Sequence, residues 1–397
     1  MSNTSRRAGN VPPSPIRKLM PFANASQKAG RKIYKINIGQ PDIETPESFW
    51  NAVHKYPSKI LAYGDARGLP EYTAELIKYY ASAGIDTAAE EMIVTTGGSE
   101  SIVFAMMVVA DPGDEIIAFE PFYPNYNGYA AMADVKIVPV TTRPEDGYHL
   151  PPLAEIEAKI TPKTKAILIC SPNNPTGTVL TKAEMETIAK IAEKHDLFVI
   201  SDEVYREFIY EGTHTSVLHI PAMKDRAILL DSISKRFSAC GARLGCLICK
   251  NKTVIDAVWR LAQARLCPPT LEQIGATAVL KELNAGYFAD MSEEYRRRRD
   301  AAFEEVSKIE GAFCMKPSGA FYMMVTLPID DVEVFAKWML TDFESNGETT
   351  MVAPGPGFYA TKGKGANEAR LAYVLREKDL RRAIQILGEG VKAYNHR

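Results

Sequence analysis

The sequence predicts an α/β protein. A large domain is built on a mostly parallel sheet sandwiched by helices, and both termini form a smaller α/β domain. Three observations predict it. Apolar runs of strand length alternate with helix-length segments from Met92 to Cys249, the pattern of a parallel sheet covered on both faces. Polar clusters follow those runs, where ligands bind in such sheets. After Asn251 the texture changes to long helical runs, and short strands return only beyond residue 320.

Residues 32–38 alternate polar and apolar and break at Gly39-Gln40-Pro41-Asp42, a short strand ending in a turn. Pro70 opens a helix over 71–80. A strand at 92–95 leads through Gly97-Gly98-Ser99-Glu100 into an apolar helix at 101–110, which Asp111-Pro112-Gly113 stops. Further strands are expected at 116–119, 136–140, 165–170, 197–200, 227–230 and 244–249, with helices at 153–159 and 182–195. Beyond them come helices at 253–264, 270–283, 332–340 and 377–389, and strands at 321–325, 351–353 and 370–374. The run Tyr295-Arg-Arg-Arg-Arg299 reads as a solvated helix face. Residues 1–45 are expected to form an arm and part of the small domain, 46–290 the large domain, and 291–397 the rest of the small one.

The chain has 397 residues, 46% hydrophobic and 24% charged, with a net charge of −2. That balance points away from nucleic acid or an anionic membrane as the main partner. No apolar stretch approaches the ~20 residues of a membrane span. Arg6-Arg7 precedes no apolar h-region, so a cytoplasmic protein with a polar, Pro-rich N-terminal arm is expected. The six cysteines read as core thiols. Cys246 and Cys249 have zinc-compatible spacing, but a strand would point them to opposite faces, and no metal is expected.

The stretch DSISKRFSACGARLG carries the chemistry. Taken alone, Lys235 reads as a surface lysine after a strand. Yet hydroxyls precede it at Ser232 and Ser234, and a guanidinium follows at Arg243, a setting that suits an amine forming a Schiff base beside a phosphate. The clusters Gly97–Ser99, Tyr123, Asn174, Asp202 with Tyr205, and Ser232 with Lys235 each follow a different strand, and this coincidence outweighs the surface reading. A phosphorylated aromatic aldehyde would find Gly98, Ser99, Ser232 and Arg243 for its phosphate. Asp202 suits its ring nitrogen, Asn174 and Tyr205 its phenolic oxygen, and Tyr123 its ring face. The inventory predicts pyridoxal 5'-phosphate. Each residue has a plainer reading too: Asn174 in a turn, Asp202 as a helix cap with Glu203 as the carboxylate, Tyr123 in the core, Arg243 on the surface.

The stretches TTGGSE, EPFYPNY, SPNNPTG, SDEVY, SISKRFSACGARLG and ARLAYV, with YGDARGLPEY and NIGQPD, resemble the class I/II aminotransferases of the fold-type I pyridoxal-phosphate family. The likeness runs from about Ile16 to the C-terminus. It implies that Lys235 forms the Schiff base and shuttles the proton, that Asp202 pairs with the pyridine nitrogen, and that Asn174 and Tyr205 hold the ring oxygen. Tyr123 would stack on the ring. Gly97, Gly98, Ser99, Ser232 and Arg243 would hold the phosphate, joined by Tyr63 from the neighbouring subunit of a homodimer with shared sites. Arg370, with the Gly39 N–H and Asn174, would clamp the substrate α-carboxylate, although a lone arginine opening a strand reads as a surface residue.

The implied activity moves an amino group from an L-amino acid (aspartate, alanine or aromatic) to a 2-oxo acid such as 2-oxoglutarate. Ser99 stands where bacterial members selective for acidic substrates often carry a lysine. The arginine that another branch borrows from the neighbouring subunit would fall near Ala262, with Arg260 and Arg265 nearby. Two alternatives share the cofactor: a C–S/β-lyase, and a non-catalytic regulatory domain, for which no N-terminal DNA-binding pattern is visible.

Overall fold

The computed structural model describes residues 4–15 and 17–397; residues 1–3 and Ile16 of the expected arm lie outside the described residues. In chain order the strands are β1 (Lys32–Lys35), β2 (Met92–Thr95), β3 (Glu115–Glu120), β4 (Lys136–Thr141), β5 (Thr164–Cys170) and β6 (Phe198–Asp202). They continue with β7 (Ala227–Ser232), β8 (Gly245–Ile248), β9 (Tyr322–Thr326), β10 (Glu348–Met351), β11 (Ala353–Pro354) and β12 (Glu368–Ala372). Seven form the central sheet in the order β2-β8-β7-β6-β5-β3-β4. From β7 to β4 every pair is parallel, and β8 runs antiparallel to both its neighbours.

Both faces of this sheet are covered. Ile167, Val199 and Leu229 enter one apolar core, while their chain neighbours Leu168, Ile200 and Leu230 enter another. A strand buried on both faces must be apolar throughout, which is why these strands read as unbroken runs. Cys246 and Cys249 likewise fall in opposite cores. A third core surrounds β9 and β12 and takes in Leu19 and Ala23 near one terminus and Leu387 and Val391 near the other. Among the described residues, no helix is long and apolar enough to cross a membrane.

Besides the short helices Arg6–Asn10 and Ile233–Arg236, three longer ones escape sequence reading: Met20–Lys28, Glu47–His54 and Asn125–Ala133. Each begins at a proline that reads as a loop residue (Pro21, Pro46, Pro124), yet proline is compatible with the first turn, where its missing N–H has no partner to lose.

The arginine run is a second correction. Within the helix Tyr287–Val306, Tyr295, Arg298, Arg299 and Ala302 share one face by helical spacing, and that face is buried. Arg298 donates to Asp42 at 2.6 Å, to Glu294 at 2.9 Å and to the Val374 carbonyl. Arg299 donates to Glu211 at 2.8 Å and to the Pro317 carbonyl at 2.9 Å. Arg296 and Arg297 alone of the run keep to the wet side, with side chains 42% and 59% exposed. Arg298→Ala is therefore expected to cost about 2–3 kcal/mol through lost charge-assisted hydrogen bonds, against less than about 0.5 kcal/mol for Arg297→Ala. Denaturant midpoints of the two variants decide it, and equal shifts would return Arg298 to the solvated face.

Candidate active site

A cleft of about 650 Å³ opens at the carboxyl ends of the parallel strands, lined by Gly39, Gly98, Ser99, Tyr123, Asn174, Asp202, Tyr205, Ser232, Lys235, Arg243 and Arg370. Nearly all the residues singled out from sequence thus meet in one place. Gly97 packs behind them against Arg243. Tyr63 stands outside the cleft, 83% exposed.

Lys235 sits on the short helix Ile233–Arg236 that caps β7. Ser232 is the N-cap, its hydroxyl accepting from Ser234 N. The next residue, Arg236, is pinned by a fully buried ion pair to Asp231 at 2.6 Å, and Asp231 also accepts from Tyr80 at 2.7 Å. Lys235 Nζ is half-buried and donates to the Gly39 carbonyl at 2.9 Å, with Cys240 Sγ at 3.6 Å. Only glycine fits at position 39, because a Cβ there would stand 1.8 Å from the Tyr322 hydroxyl.

The expected phosphate cradle differs from its sequence reading in one respect: the helix begins at Gly97, not after it, and spans Gly97–Val109. The glycines and Ser99 therefore occupy the first turn, whose N–H groups lack intrahelical partners and carry the positive end of the dipole. Gly97 has φ +74°, and a Cβ on it would lie 2.6 Å from an Arg243 nitrogen. Ser99 Oγ accepts from Tyr129 at 2.8 Å, which leaves its own proton free to donate. Ser232 is less available, since its hydroxyl donates to the Leu244 carbonyl at 2.9 Å.

At the other end of the cleft, Asp202 Oδ2 accepts from Tyr126 at 2.7 Å. Burial pushes its carboxyl up to about 6. The sequence left Glu203 as a rival carboxylate. Glu203 points away, accepting from Ser201, Ser216 and Val217 N and facing His214 at 3.0 Å. Burial works against its ionisation, but His214, Arg206 and the Val217 N–H outweigh that and hold it down to about 2. The Tyr205 hydroxyl meets that of Tyr322 at 2.9 Å, and burial raises Tyr205 well above its ordinary value, so it stays a phenol.

Arg370 is not the surface residue that a lone arginine suggests. It is 2% exposed. It donates to Asn174 Oδ1 at 2.9 Å and to the Asn37 carbonyl at 2.6 Å, its Nε has no partner, and its guanidinium lies over the rings of Tyr322 and Phe358 at 4.5 and 4.9 Å. Burial pulls it below its ordinary value. Arg265, a candidate to reach a neighbouring site, is engaged within its own chain by Glu100 at 2.8 Å and by the Ala66 and Val94 carbonyls; Ala262 is buried.

Sequence reading missed Tyr126, Tyr129 and Tyr322. Tyr126 lies in the same EPFYPNY stretch as Tyr123, in the first turn of the helix that follows it. Tyr322 carried no signal, since it opens a strand in another sheet.

The donor set fits a phosphorylated pyridine aldehyde. A helix start, a free hydroxyl and a guanidinium suit its dianion, a buried carboxyl its ring nitrogen, and an amine its carbonyl. Fold and cleft together define a pyridoxal-phosphate enzyme. The family described as aminotransferase class I and II matches residues 31–387, and the chain belongs to that family. It is 32% identical to the aspartate/prephenate aminotransferase of Thermus thermophilus, over 97% of this chain and 98% of that one. It is 31% identical to aromatic-amino-acid aminotransferase 2 of Thermococcus litoralis, over 95% and 99%. Among solved structures, the alanine aminotransferase from Pyrococcus furiosus superimposes with a TM-score of 0.89 at 31% identity, covering 98% and 100%. The protein is thus a pyridoxal-phosphate-dependent aminotransferase, and these relatives support neither a lyase nor a regulatory domain.

The raised Asp202 value has a sign that can be tested. In the apoprotein, between its ordinary 3.8 and about 6, the native state holds a proton that the unfolded chain has lost, so stability falls as pH rises through that window. Asp202→Asn removes this dependence. The stability difference between variant and wild type should grow from about pH 4 to about pH 6 and level off above. A flat difference would put the carboxyl at its ordinary value.

Proposed function

We propose that this aminotransferase works through Lys235 as the amine that binds the cofactor's carbonyl and carries the substrate's α-proton, and through Arg370 as the clamp for the substrate's α-carboxylate. One observation carries the reading: a buried guanidinium with no carboxylate partner among the described residues shares a cleft with a lysine whose amine meets only a carbonyl and a thiol. A buried cation bonded only to neutral oxygens is unfinished without an anion.

Pyridoxal phosphate supplies, when bound, an electron sink conjugated to the substrate's Cα. Asp202 would pair with its ring nitrogen, and a cation there would draw the Asp202 carboxyl back down from about 6, keeping it ionised at neutral pH. Tyr205 and Asn174 donate toward the ring oxygen, with Tyr205 oriented by Tyr322. Tyr123 would cover the ring face. Gly97, Gly98, Ser99, Ser232 and Arg243 hold the phosphate, chiefly through N–H groups, the free Ser99 proton and the guanidinium. The Gly39 N–H and Asn174 complete the carboxylate site beside Arg370. Lys235 Nζ would accept the substrate's α-proton and hold it for return.

The working unit is a cytoplasmic homodimer in which Tyr63 reaches the other subunit's phosphate. Exposed apolar side chains beside it, Ile60 and Leu61 at 74% and 56%, support a partner face there. The division into residues 46–290 and a second domain from both ends is supported by the core around β9 and β12, which draws on both termini, although Tyr205 and Phe208 also enter it. The donor is an L-amino acid (aspartate, alanine or aromatic) and the acceptor a 2-oxo acid such as 2-oxoglutarate; relatives named for aspartate, aromatic amino acids and alanine support that range, and another is named for arginine and pyruvate.

A half-reaction screen tests the whole reading. Each amino acid is mixed with the holoenzyme, and the absorbance of the pyridoxal form is followed as it converts to the pyridoxamine form. Lys235→Ala should show no conversion with any donor, and undiminished transamination by it would sink the assignment. Arg370→Ala should lower kcat/KM by about 10- to 100-fold, mostly through KM, the range of a lost charge-assisted bond. Unchanged saturation would remove Arg370 from the site.

A further inference from the structure

The cleft carries one cation that this reading leaves unused. Among its lining residues the charged groups are Arg17, Asp202, Lys235, Arg243 and Arg370, four cations against one acid. Arg243 faces the phosphate cradle, Arg370 the α-carboxylate site, and Lys235 and Asp202 the reacting end. Arg17 comes from the N-terminal arm and enters no ion pair among the described residues, although its neighbour Lys18 pairs with Glu333, and Arg31 with Glu344.

The arm is held on both sides of the cleft. Val11 lies against Gly128 of the helix Asn125–Ala133, and Pro15 packs so closely on Gly357 that a Cβ there would meet it at 2.4 Å. Leu19 is buried, and Lys18 ties the segment to the helix Val332–Thr341 through Glu333. Between these anchors, Arg17 N bonds the Ser14 carbonyl at 3.2 Å, and Ser14 and Arg17 both face the cleft. Arg17 is exposed and lines the cleft, so between these anchors the arm presents that charge to whatever enters.

Two positions that might otherwise supply a cation for a substrate side chain do not. Ser99 is neutral and bonded to Tyr129. Arg265 is neutralised by Glu100. We propose that Arg17 is a specificity-determining residue that binds the second carboxylate of a dicarboxylic 2-oxo acid or amino acid, while Arg370 holds the first. This rests on the aminotransferase assignment of Arg370 and Lys235. A guanidinium reads a carboxylate with paired, planar N–H groups, so lysine at this place should serve only in part.

The test compares acceptors in wild type, Arg17→Ala and Arg17→Lys, with one donor held constant. The quantity read is kcat/KM for 2-oxoglutarate divided by kcat/KM for pyruvate. Arg17→Ala should lower this ratio by about 10- to 100-fold, as expected for loss of one charge-assisted contact, and Arg17→Lys by less. Competition by glutarate against butyrate, measured as binding to the holoenzyme, should lose the same factor. Should the variant merely loosen the arm, both acceptors would fall together, and an unchanged ratio overturns the proposal. A wild type that uses pyruvate but rejects 2-oxoglutarate overturns it as well. A wild type that transfers to neither acceptor sinks the transaminase reading itself, a different failure.

Discussion

The constraint on which the rest depends is that β3, β5, β6 and β7 run parallel, so their carboxyl ends share one edge. Cys170 pairs with Asp202 across β5 and β6, and Asp202 with Leu230 across β6 and β7. Strands about 4.8 Å apart then bring the residues just beyond them into one cleft, whatever their distance in sequence. Asn174, Asp202, Tyr205 and Lys235 owe their meeting to that register. A slip along any of these strands would carry its polar end out of the cleft and its apolar run out of the core together.

Buried charge then orients what the sheet has gathered. A buried ion pair is weak evidence for stability, because desolvation offsets its attraction. The Asp231–Arg236 pair matters for geometry: with Tyr80 and the Ser232 N–H it fills the lone pairs of Asp231 and fixes the short helix on which Lys235 stands. Asp202 and Glu203 show how environment alone separates neighbours. Alternation along the chain sends one to the cleft, where burial with few donors pushes its carboxyl up to about 6. The other meets His214, two hydroxyls and an N–H, and is held down to about 2.

The central sheet and the cleft residues were legible because parallel strands buried on both faces leave unbroken apolar runs with polar stops. Legibility failed where a residue's partner lies far along the chain. The arginines at 298 and 299 look solvated by composition, and only the packing of their helix against Asp42, Val374, Glu211 and Pro317 makes them internal. Tyr322 orients Tyr205, covers Arg370 and forces glycine at position 39, yet sits in a different sheet with no motif around it. The start of the Gly97–Val109 helix was misplaced for a local reason: glycines read as a turn, while the first helical turn tolerates them and uses their open N–H groups.

What separates Arg370 from the other buried arginines of this molecule is its partners. Arg236, Arg265, Arg298 and Arg299 each meet a carboxylate of the same chain. Arg206 forms no such pair, and burial works against its charge, but Tyr79, Glu203 and Asp231 outweigh that and raise it. Burial lowers Arg370 instead, and its shell of an amide, a carbonyl and two ring faces stabilises a cation without neutralising it. An internal carboxylate at that place would compete with every substrate. Neutral partners hold the guanidinium in position and leave its charge unmatched among the described residues.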